Sequence, residues 1–600
     1  MNAAPQRVAG RQTSAQHHPT RPKGRATARG PLSSQALRGT GTGIGIGIGI
    51  GTKHRSLGLW QWLLRAGGPA CGGLVRALLI VVAVPLALAG CAGLPPGVAE
   101  RPAEQALSAT ADAPLAVAAA QGLAAAQPAG PSAVLSLAHP GQALDARLTL
   151  IAQARSSLDL QYYHLADDRV GRHLLRALRD AARRGVRVRL LLDDFHTTGM
   201  DPLLLGLAAE PNVALRLFNP FVQGRDTSLG RWLALAGDFH RLNHRMHNKL
   251  FLADGVLAVV GGRNLAEGYF QRSDEANFID FDALATGTVV AELSAVFDQY
   301  WNSAVVHDLH TIAAPAGTPD EAAERRARFE AATAAGLPAA PLGTQMPPPQ
   351  RFAELLAAGL PGLLGAPIDV VADVPHKLTR RQAPDALSAT ATWRAMQVFR
   401  ESRSELMLFS PYFIPGQMGL AGLAEARQHG VAVRVVTNAL SATDEPLASL
   451  AYERYRVPLL KLGVELYEVS AAQVRRDAGQ RALFGRSRAQ LHTKLAVVDR
   501  RTLLIGSLNL DQRSATTNTE LALVVRSPEL TRQVLAWFNS SERRDVRGSY
   551  QVQLRPDGGL RWVALLGEGR TEVSDEEPEA DPLRRLRLWV LSLLVPESLL

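Results

Sequence analysis

The chain has 600 residues, 46% hydrophobic and 20% charged, a globular composition with room for roughly three to four domains. Its formal charge of +10 invites a nucleic-acid partner, yet 11 of the 65 Lys and Arg lie in Met1–Gly90, which holds no Asp or Glu. The other 54 basic residues face 55 acidic ones, so the body has no global electrostatic footprint for DNA or RNA. The two cysteines, Cys71 and Cys91, cannot build a disulfide framework or a cysteine metal site in the body.

Residues 1–60 contain a Gly-Ile repeat from Gly43 to Gly51 and no acid. They read as a disordered leader or a misassigned start. Residues 61–91 read as a signal peptide of the lipoprotein type. Arg76 precedes about 14 apolar residues, too few to span a bilayer comfortably. The run ends in Leu88-Ala89-Gly90-Cys91, which resembles the bacterial lipobox. That resemblance implies a lipid-modified Cys91 and a periplasm-facing protein anchored in the cell envelope, with inner and outer membrane both open. A plain signal peptide and a short membrane anchor are the alternatives. Residues 92–135 are rich in Ala, Pro and Gly and read as a tether.

Structure is expected from about Leu144. A helix pattern there leads into an apolar strand, Leu158–Tyr163. A basic helix carrying Leu174, Leu175, Leu178, Ala181 and Ala182 ends at Gly185, and a buried-type strand, Val186–Leu192, follows. Residues 311–350 read as a linker with a short helix near Asp320–Ala334. The second half repeats the first: strand Ser404–Ser410, helix Leu420–Gln428 ended by Gly430, strand Val431–Val436. The fold class expected is α/β, with two duplicated halves, 140–310 and 351–545, and a C-terminal extension, 546–600.

Within this repeat the chain carries one catalytic sentence twice. His247, Lys249, Asp254 and Asn264 recur as His492, Lys494, Asp499 and Asn509, at a constant offset of 245. Each set lies on a strand pair: Leu250–Ala253 with Val256–Val260, and Leu495–Val498 with Leu503–Ile505. Residues i and i+2 share a strand face, so His247 and Lys249 point the same way, as do His492 and Lys494. The turns at Gly261-Gly262 and Gly506-Ser507 let backbone approach a ligand. Lysines and asparagine amides suit the non-bridging oxygens of a phosphodiester. One histidine can attack phosphorus while a second protonates the leaving alcohol. A lone histidine on a strand is ordinarily structural; two His-x-Lys pairs in repeated context are not.

This twin HxKxxxxD pattern resembles the phospholipase D superfamily over residues 140–540. The resemblance implies two halves, each a mixed sheet flanked by helices, packed as a pseudo-dimer around one site. It also implies a covalent phosphohistidine intermediate and no metal or other cofactor. It implies His247 as nucleophile and His492 as acid and base, with Lys249, Lys494, Asn264 and Asn509 on the phosphate. Asp254 and Asp499 count with the catalytic motif, although their place suits buttressing the fold. Asp280 and Glu520, on the strand after each motif, are candidates to orient the histidines; ordinary strand-end acids are the alternative.

Arg245-Met-His-Asn-Lys249, Glu267-Gly-Tyr-Phe270, Ser410-Pro-Tyr-Phe-Ile-Pro-Gly416 and Asn509-Leu-Asp-Gln-Arg-Ser514 are further similar to bacterial cardiolipin synthases of the branch without two N-terminal transmembrane helices. Gly262 departs from the commoner Gly-Ser. It removes a hydroxyl near the phosphate and leaves Arg263 to compensate.

The last expected element, Leu583–Leu594, places three arginines at one end of a Leu/Trp run. It suits either an interfacial helix or a terminal helix docked on the body. The function expected is phosphatidyl transfer making cardiolipin, with phosphatidylglycerol and possibly phosphatidylethanolamine as substrates at a membrane surface. The protein would act as a monomer, without nucleic acid. Phospholipid hydrolysis to phosphatidic acid is the alternative; a nuclease and a lipid-anchored binding protein with a dead site are less suited.

Overall fold

The computed structural model describes residues 102–314, 317–339, 350–378, 388–539, 546–565 and 571–592. The leader 1–60, the signal segment 61–91 with Cys91, and the first part of the tether lie outside them. Among the described residues no helix is long and apolar enough to cross a membrane.

The first sheet uses β1 (Ser132–Leu137), β2 (Ser157–Tyr162), β3 (Arg187–Asp193), β4 (Val213–Phe218), β5 (Lys249–Ala253) and β6 (Leu257–Gly261). After β7 (Ala276–Ile279), which lies elsewhere, it adds β8 (Asp282–Gly287), β9 (Val306–Asp308) and β10 (Leu364–Gly365). Its order is β10-β1-β8-β6-β5-β2-β3-β4-β9. Only the pairs β2–β3 and β3–β4 are parallel; the other pairs are antiparallel.

The second sheet uses β11 (Ile368–Ala372), β12 (Glu405–Phe409), β13 (Ala432–Asn438) and β14 (Glu465–Val469). Past β15 (Arg488–Leu491) it continues with β16 (Leu495–Val498), β17 (Thr502–Gly506), β18 (Leu521–Arg526), β19 (Ser549–Leu554), β20 (Leu560–Leu565) and β21 (Thr571–Ser574). The order is β11-β18-β17-β16-β12-β13-β14-β19-β20-β21. Again three strands, β12 to β14, form the parallel core. Both halves are thus mixed sheets, each built around one strand–helix–strand–helix–strand run.

Both faces of each sheet are covered, so the central strands are buried along almost all of their length. Outer faces pack under helices such as Arg169–Arg183, whose Leu174, Leu175 and Leu178 point inward and which stops at Gly185 with φ +96°. The inner faces meet in one shared core, where Leu250, Val260 and Phe297 of the first half join Phe409, Ile505 and Leu523 of the second. The two halves are therefore a packed pseudo-dimer with no solvent layer between their sheets.

Three expected boundaries differ. The stretch read as a tether is folded from Pro102: a helix, Pro114–Ala125, buries Leu115, Ala118 and Ala119, and β1 follows. Its alanines look like linker composition but serve close packing. A Cβ at Gly122 would lie 2.6 Å from Leu363 and 2.9 Å from the Gly359 carbonyl. Residues 352–365, assigned to the second half, pack on the first: Phe352 joins its outer core and β10 extends its sheet. The C-terminal extension lengthens the second sheet through β19 to β21. Its helix, Pro582–Ser592, docks through Arg585, 3.3 Å from Glu453, while Leu586 and Trp589 stay exposed. The linker helix forms as expected, at Pro319–Ala332, under a Thr318/Glu321 capping box.

Candidate active site

Two short backbone pairings between the halves build the site. β15 pairs in parallel with β7, Leu491 opposite Ile279. Met246 bridges Thr519 in the same sense. The next residue along each strand carries the chemistry. His492 follows β15 and Asp280 follows β7; the imidazole Nδ1 donates to Asp280 Oδ2 at 2.7 Å. His247 follows Met246 and Glu520 follows Thr519; Nδ1 donates to both Glu520 oxygens, at 3.0 and 3.1 Å. The backbone N–H of each histidine is fixed by the facing strand, to Ile279 O and Thr519 O, both at 2.9 Å. Each histidine is therefore oriented by an acid from the other half, and Nε2 is the nitrogen left for chemistry.

The lysines behave alike. Lys249 Nζ donates to its own motif's His247 carbonyl at 2.8 Å, and Lys494 Nζ to the His492 carbonyl at 2.7 Å. Lys494 also lies 3.1 Å from both ring nitrogens of His492. Each ammonium sits near a tyrosine ring, Lys249 at 5.4 Å from Tyr163 and Lys494 at 5.7 Å from Tyr412. Asn264 and Asn509 are buried, and the Oδ1 of each has no hydrogen-bond partner. The unpaired atom is in each case an acceptor, costly unless a donor such as a ligand hydroxyl completes it, while phosphate oxygens would be met by the Nδ2–H groups. Among the described residues no three His, Cys, Asp or Glu side chains are grouped to hold a metal ion.

Burial sets the protonation states. It pushes the His247 imidazole down to about 4, with Glu520 opposing and Lys249 and Lys494 adding to the fall. His492 falls well below its usual range through burial, then Lys494, Lys249 and His247. Burial lowers Lys249 to about 7, helped by Lys494, and lowers Lys494 to about 8 against the pull of Asp280. Asp280 rises to about 6 by burial, offset in part by Lys494. Burial also raises Glu520, but His247, Lys249 and Ser507 outweigh it and the carboxyl ends below its usual range. The empty site is thus a pair of neutral imidazoles between two ammonium groups that repel one another. A phosphodiester anion would relieve that repulsion.

Asp254 and Asp499 do not reach this point. They lie seven residues beyond their histidines, in turns with φ +53° and +50°. Asp254 accepts from the backbone N–H groups of Arg155, Ser156 and Ser157, at 2.7 to 3.1 Å. Asp499 accepts from those of Arg403, Ser404 and Glu405, at 2.7 to 2.9 Å. Seven extended residues span roughly 23 Å. Their grouping with the catalytic residues is corrected: they clamp each hairpin to the strand beside it.

The expected compensation by Arg263 is also corrected. Its guanidinium is buried and donates to the carbonyls of Leu137, Tyr269 and Asp280. It braces the backbone of Asp280 and does not face a phosphate. Gly262 has a separate reason: a Cβ there would lie 2.1 Å from Asp280 Oδ1. Ser507, at the equivalent position, instead donates its hydroxyl to Glu520.

Several neighbours were not singled out from sequence. Tyr163 meets His247 edge-on at 4.9 Å, and Tyr269 meets His492 edge-on at 5.0 Å. The Tyr269 hydroxyl bonds the Asn264 amide at 2.8 Å and lies 3.4 Å from His492 Nε2. His164 and His196 lie 4.4 Å apart, with Tyr163 between His196 and His247. Tyr269 and Tyr412 stand inside runs quoted for their similarity, which was the available signal; His164 and His196 follow no spacing that marks them.

The family model described as "Cardiolipin synthase, PLD-like domain" matches twice, at residues 148–301 and 396–541, once on each sheet with its motif. The chain belongs to this family. Cardiolipin synthase C of Escherichia coli (strain K12) is 34% identical over 491 residues, covering 78% of this chain and 99% of its own. An uncharacterised protein of Helicobacter pylori (strain ATCC 700392 / 26695) is 30% identical over 411 residues, covering 67% of this chain and 78% of its own. Among solved structures, phosphatidylserine synthase of Haemophilus influenzae Rd KW20 is similar over 78% of this chain and 95% of its own, at 13% identity and a TM-score of 0.48. As a PLD-like cardiolipin synthase family member, the protein is an enzyme of phospholipid biosynthesis whose repeat carries both motifs.

Proposed function

We propose that the protein is a phosphatidyltransferase that makes cardiolipin from phospholipids through a covalent phosphatidyl-histidine. The observation that carries this is the crossed pairing of His247 with Glu520 and His492 with Asp280, which aims two Nε2 atoms into one lysine-lined site. His247 Nε2 attacks phosphorus as the bond to the head-group oxygen breaks. The bound phosphate anion, with Asp280 behind the ring, favours a protonated His492, and that oxygen takes the Nε2 proton of this imidazolium, leaving the ring neutral. A glycerol hydroxyl of phosphatidylglycerol then returns a proton to His492 as it attacks phosphorus, and the P–N bond breaks to free His247. Lys249, Lys494, Asn264 and Asn509 hold the non-bridging oxygens as negative charge grows. The lysines supply the charge a metal would, so activity is expected to survive EDTA; loss on chelation with rescue by a divalent ion would overturn this.

The site is buried, which favours holding the intermediate away from water until a lipid alcohol arrives. In vesicles of phosphatidylglycerol, with or without phosphatidylethanolamine, the purified protein is expected to make cardiolipin in excess of phosphatidic acid. Phosphatidic acid alone would establish the hydrolytic alternative. We further propose a lipid anchor at Cys91 that keeps the protein at the periplasmic membrane surface. Cys91→Ser is expected to abolish palmitate labelling; equal labelling would refute the anchor.

A further inference from the structure

The halves differ where a helix pair covers the first parallel strand of each. In the first, helices Pro140–Gln153 and Arg169–Arg183 pack on each other over β2, and Leu174 and Leu178 fill the space. Helix Arg169–Arg183 stops before Gly185 as Gly416–Gln428 stops before Gly430, both in left-handed conformation. Counting back from those ends, Leu178 keeps a counterpart in Leu423, but Leu174 corresponds to Gly419 and Ala177 to Gly422. Between helices Ala391–Arg400 and Gly416–Gln428 there is accordingly a cleft of ≈ 230 Å³ along β12.

Its walls are mostly apolar, from Met396, Phe399, Leu406, Leu408, Phe413 and Met418 beside the two glycines, with Arg400, Arg403 and Glu425 also lining it. Asn509 and Asp511 line the end nearest the motif. Among the lining side chains, the one buried polar atom without a partner is Asn509 Oδ1. The buried part of the cleft thus asks for no hydrogen bond except at Asn509. Gly422 marks its purpose. A Cβ built there meets no heavy atom within 4 Å, so packing does not require glycine. A mid-helix glycine weakens its helix, and here it relieves no clash. Its missing side chain leaves that wall of the cleft open.

We propose that this cleft holds one acyl chain of the phospholipid whose phosphate sits between the two motifs. The proposal rests on the phosphatidyl-transfer reading above. The largely apolar walls and the continuity with Asn509 fit a hydrocarbon chain leaving a phosphate held by the Asn509 Nδ2–H.

The test fills the cleft with Gly422→Leu, and half-fills it with Gly422→Ala, in the full protein. Turnover is measured on dioleoyl and on water-soluble dihexanoyl phosphatidylglycerol. In parallel, a phosphatidylglycerol bearing a diazirine on one long chain is photolysed with the wild type, and labelled peptides are mapped. The expected result is labelling at Phe399 or Met418. For Gly422→Leu, kcat/KM on the dioleoyl lipid should fall about tenfold or more, with the dihexanoyl lipid within twofold; Gly422→Ala should be intermediate, and neither variant should melt earlier. Unchanged dioleoyl turnover, equal loss on both lipids, or labelling confined elsewhere overturns the proposal. If the wild type transfers no phosphatidyl group at all, the functional reading fails, while the label map still decides whether a chain lies in the cleft.

Discussion

The two halves share a scaffold and divide the work. Asp280 lies 16 positions after Asn264, but Glu520 lies 11 after Asn509. The five extra residues of the first half lie in the stretch that forms the turn Glu267–Phe270 and β7, and they bring Tyr269 against His492. The second half uses its shorter connection for helix Gln512–Thr516, whose Ser514 donates to Glu520 at 2.7 Å. Gly262 gives way to the Asp280 carboxylate, whereas Ser507 bonds Glu520. The repeated part is thus the hairpin with its His, Lys and Asn. The unrepeated part is the support, and it is exchanged, so neither half contains a working histidine.

The largest effect tests whether the histidines act as a unit. His247→Ala and His492→Ala should each lower kcat by about a thousandfold or more, with the double variant little worse. Lipid phosphate trapped on His247 in the His492→Ala protein, by intact-mass measurement, would assign the roles; full activity of either single variant would break the shared site. Next come the exchanged acids. Asp280→Asn and Glu520→Gln should each lower kcat by about a hundredfold with little change in KM, since each acts through the other half's imidazole. If Asp280→Asn left the His492-dependent step untouched in single-turnover kinetics, the crossed pairing would be wrong.

A smaller, graded effect comes from the lysines. Lys249 and Lys494 titrate near 7 and 8 in the empty site, below their usual range. They bind phosphate only when protonated. Hence kcat/KM, which reports the free enzyme, should fall as pH rises through about 7 to 8. A bound anion raises both values, so kcat should fall only at higher pH. A kcat/KM flat to pH 9 would contradict this. Smallest for chemistry are the hairpin clamps. Asp254→Ala removes a fully buried acceptor of three backbone N–H groups and should cost about 3 kcal/mol in denaturant unfolding. Asp499→Ala, at a more exposed turn, should cost about 1 kcal/mol. The folded fraction of both should keep its kcat.

Much of this was readable in the chain. The constant offset of 245 located both hairpins, and the i/i+2 rule put each lysine beside its histidine. The exchange of acids was not readable, because the offset falls to 240 at Asp280 and Glu520 and pairing across halves leaves no local periodicity. The folded part of the tether was missed because alanine at a close-packed face looks like alanine in a linker. The start of the second half was misplaced for a similar reason: a two-residue strand such as β10 is too short to carry a pattern.

The β7–β15 ladder also makes activity a gauge of assembly fidelity. Side chains alternate across a strand, so slipping that ladder by one residue would turn Asp280 to the opposite face from His492. The inner core is non-directional and could tolerate such a mismatch far better than the 2.7 Å bond can. A misdocked chain would therefore remain compact while catalytically silent, and turnover certifies the register in which the two halves have come together.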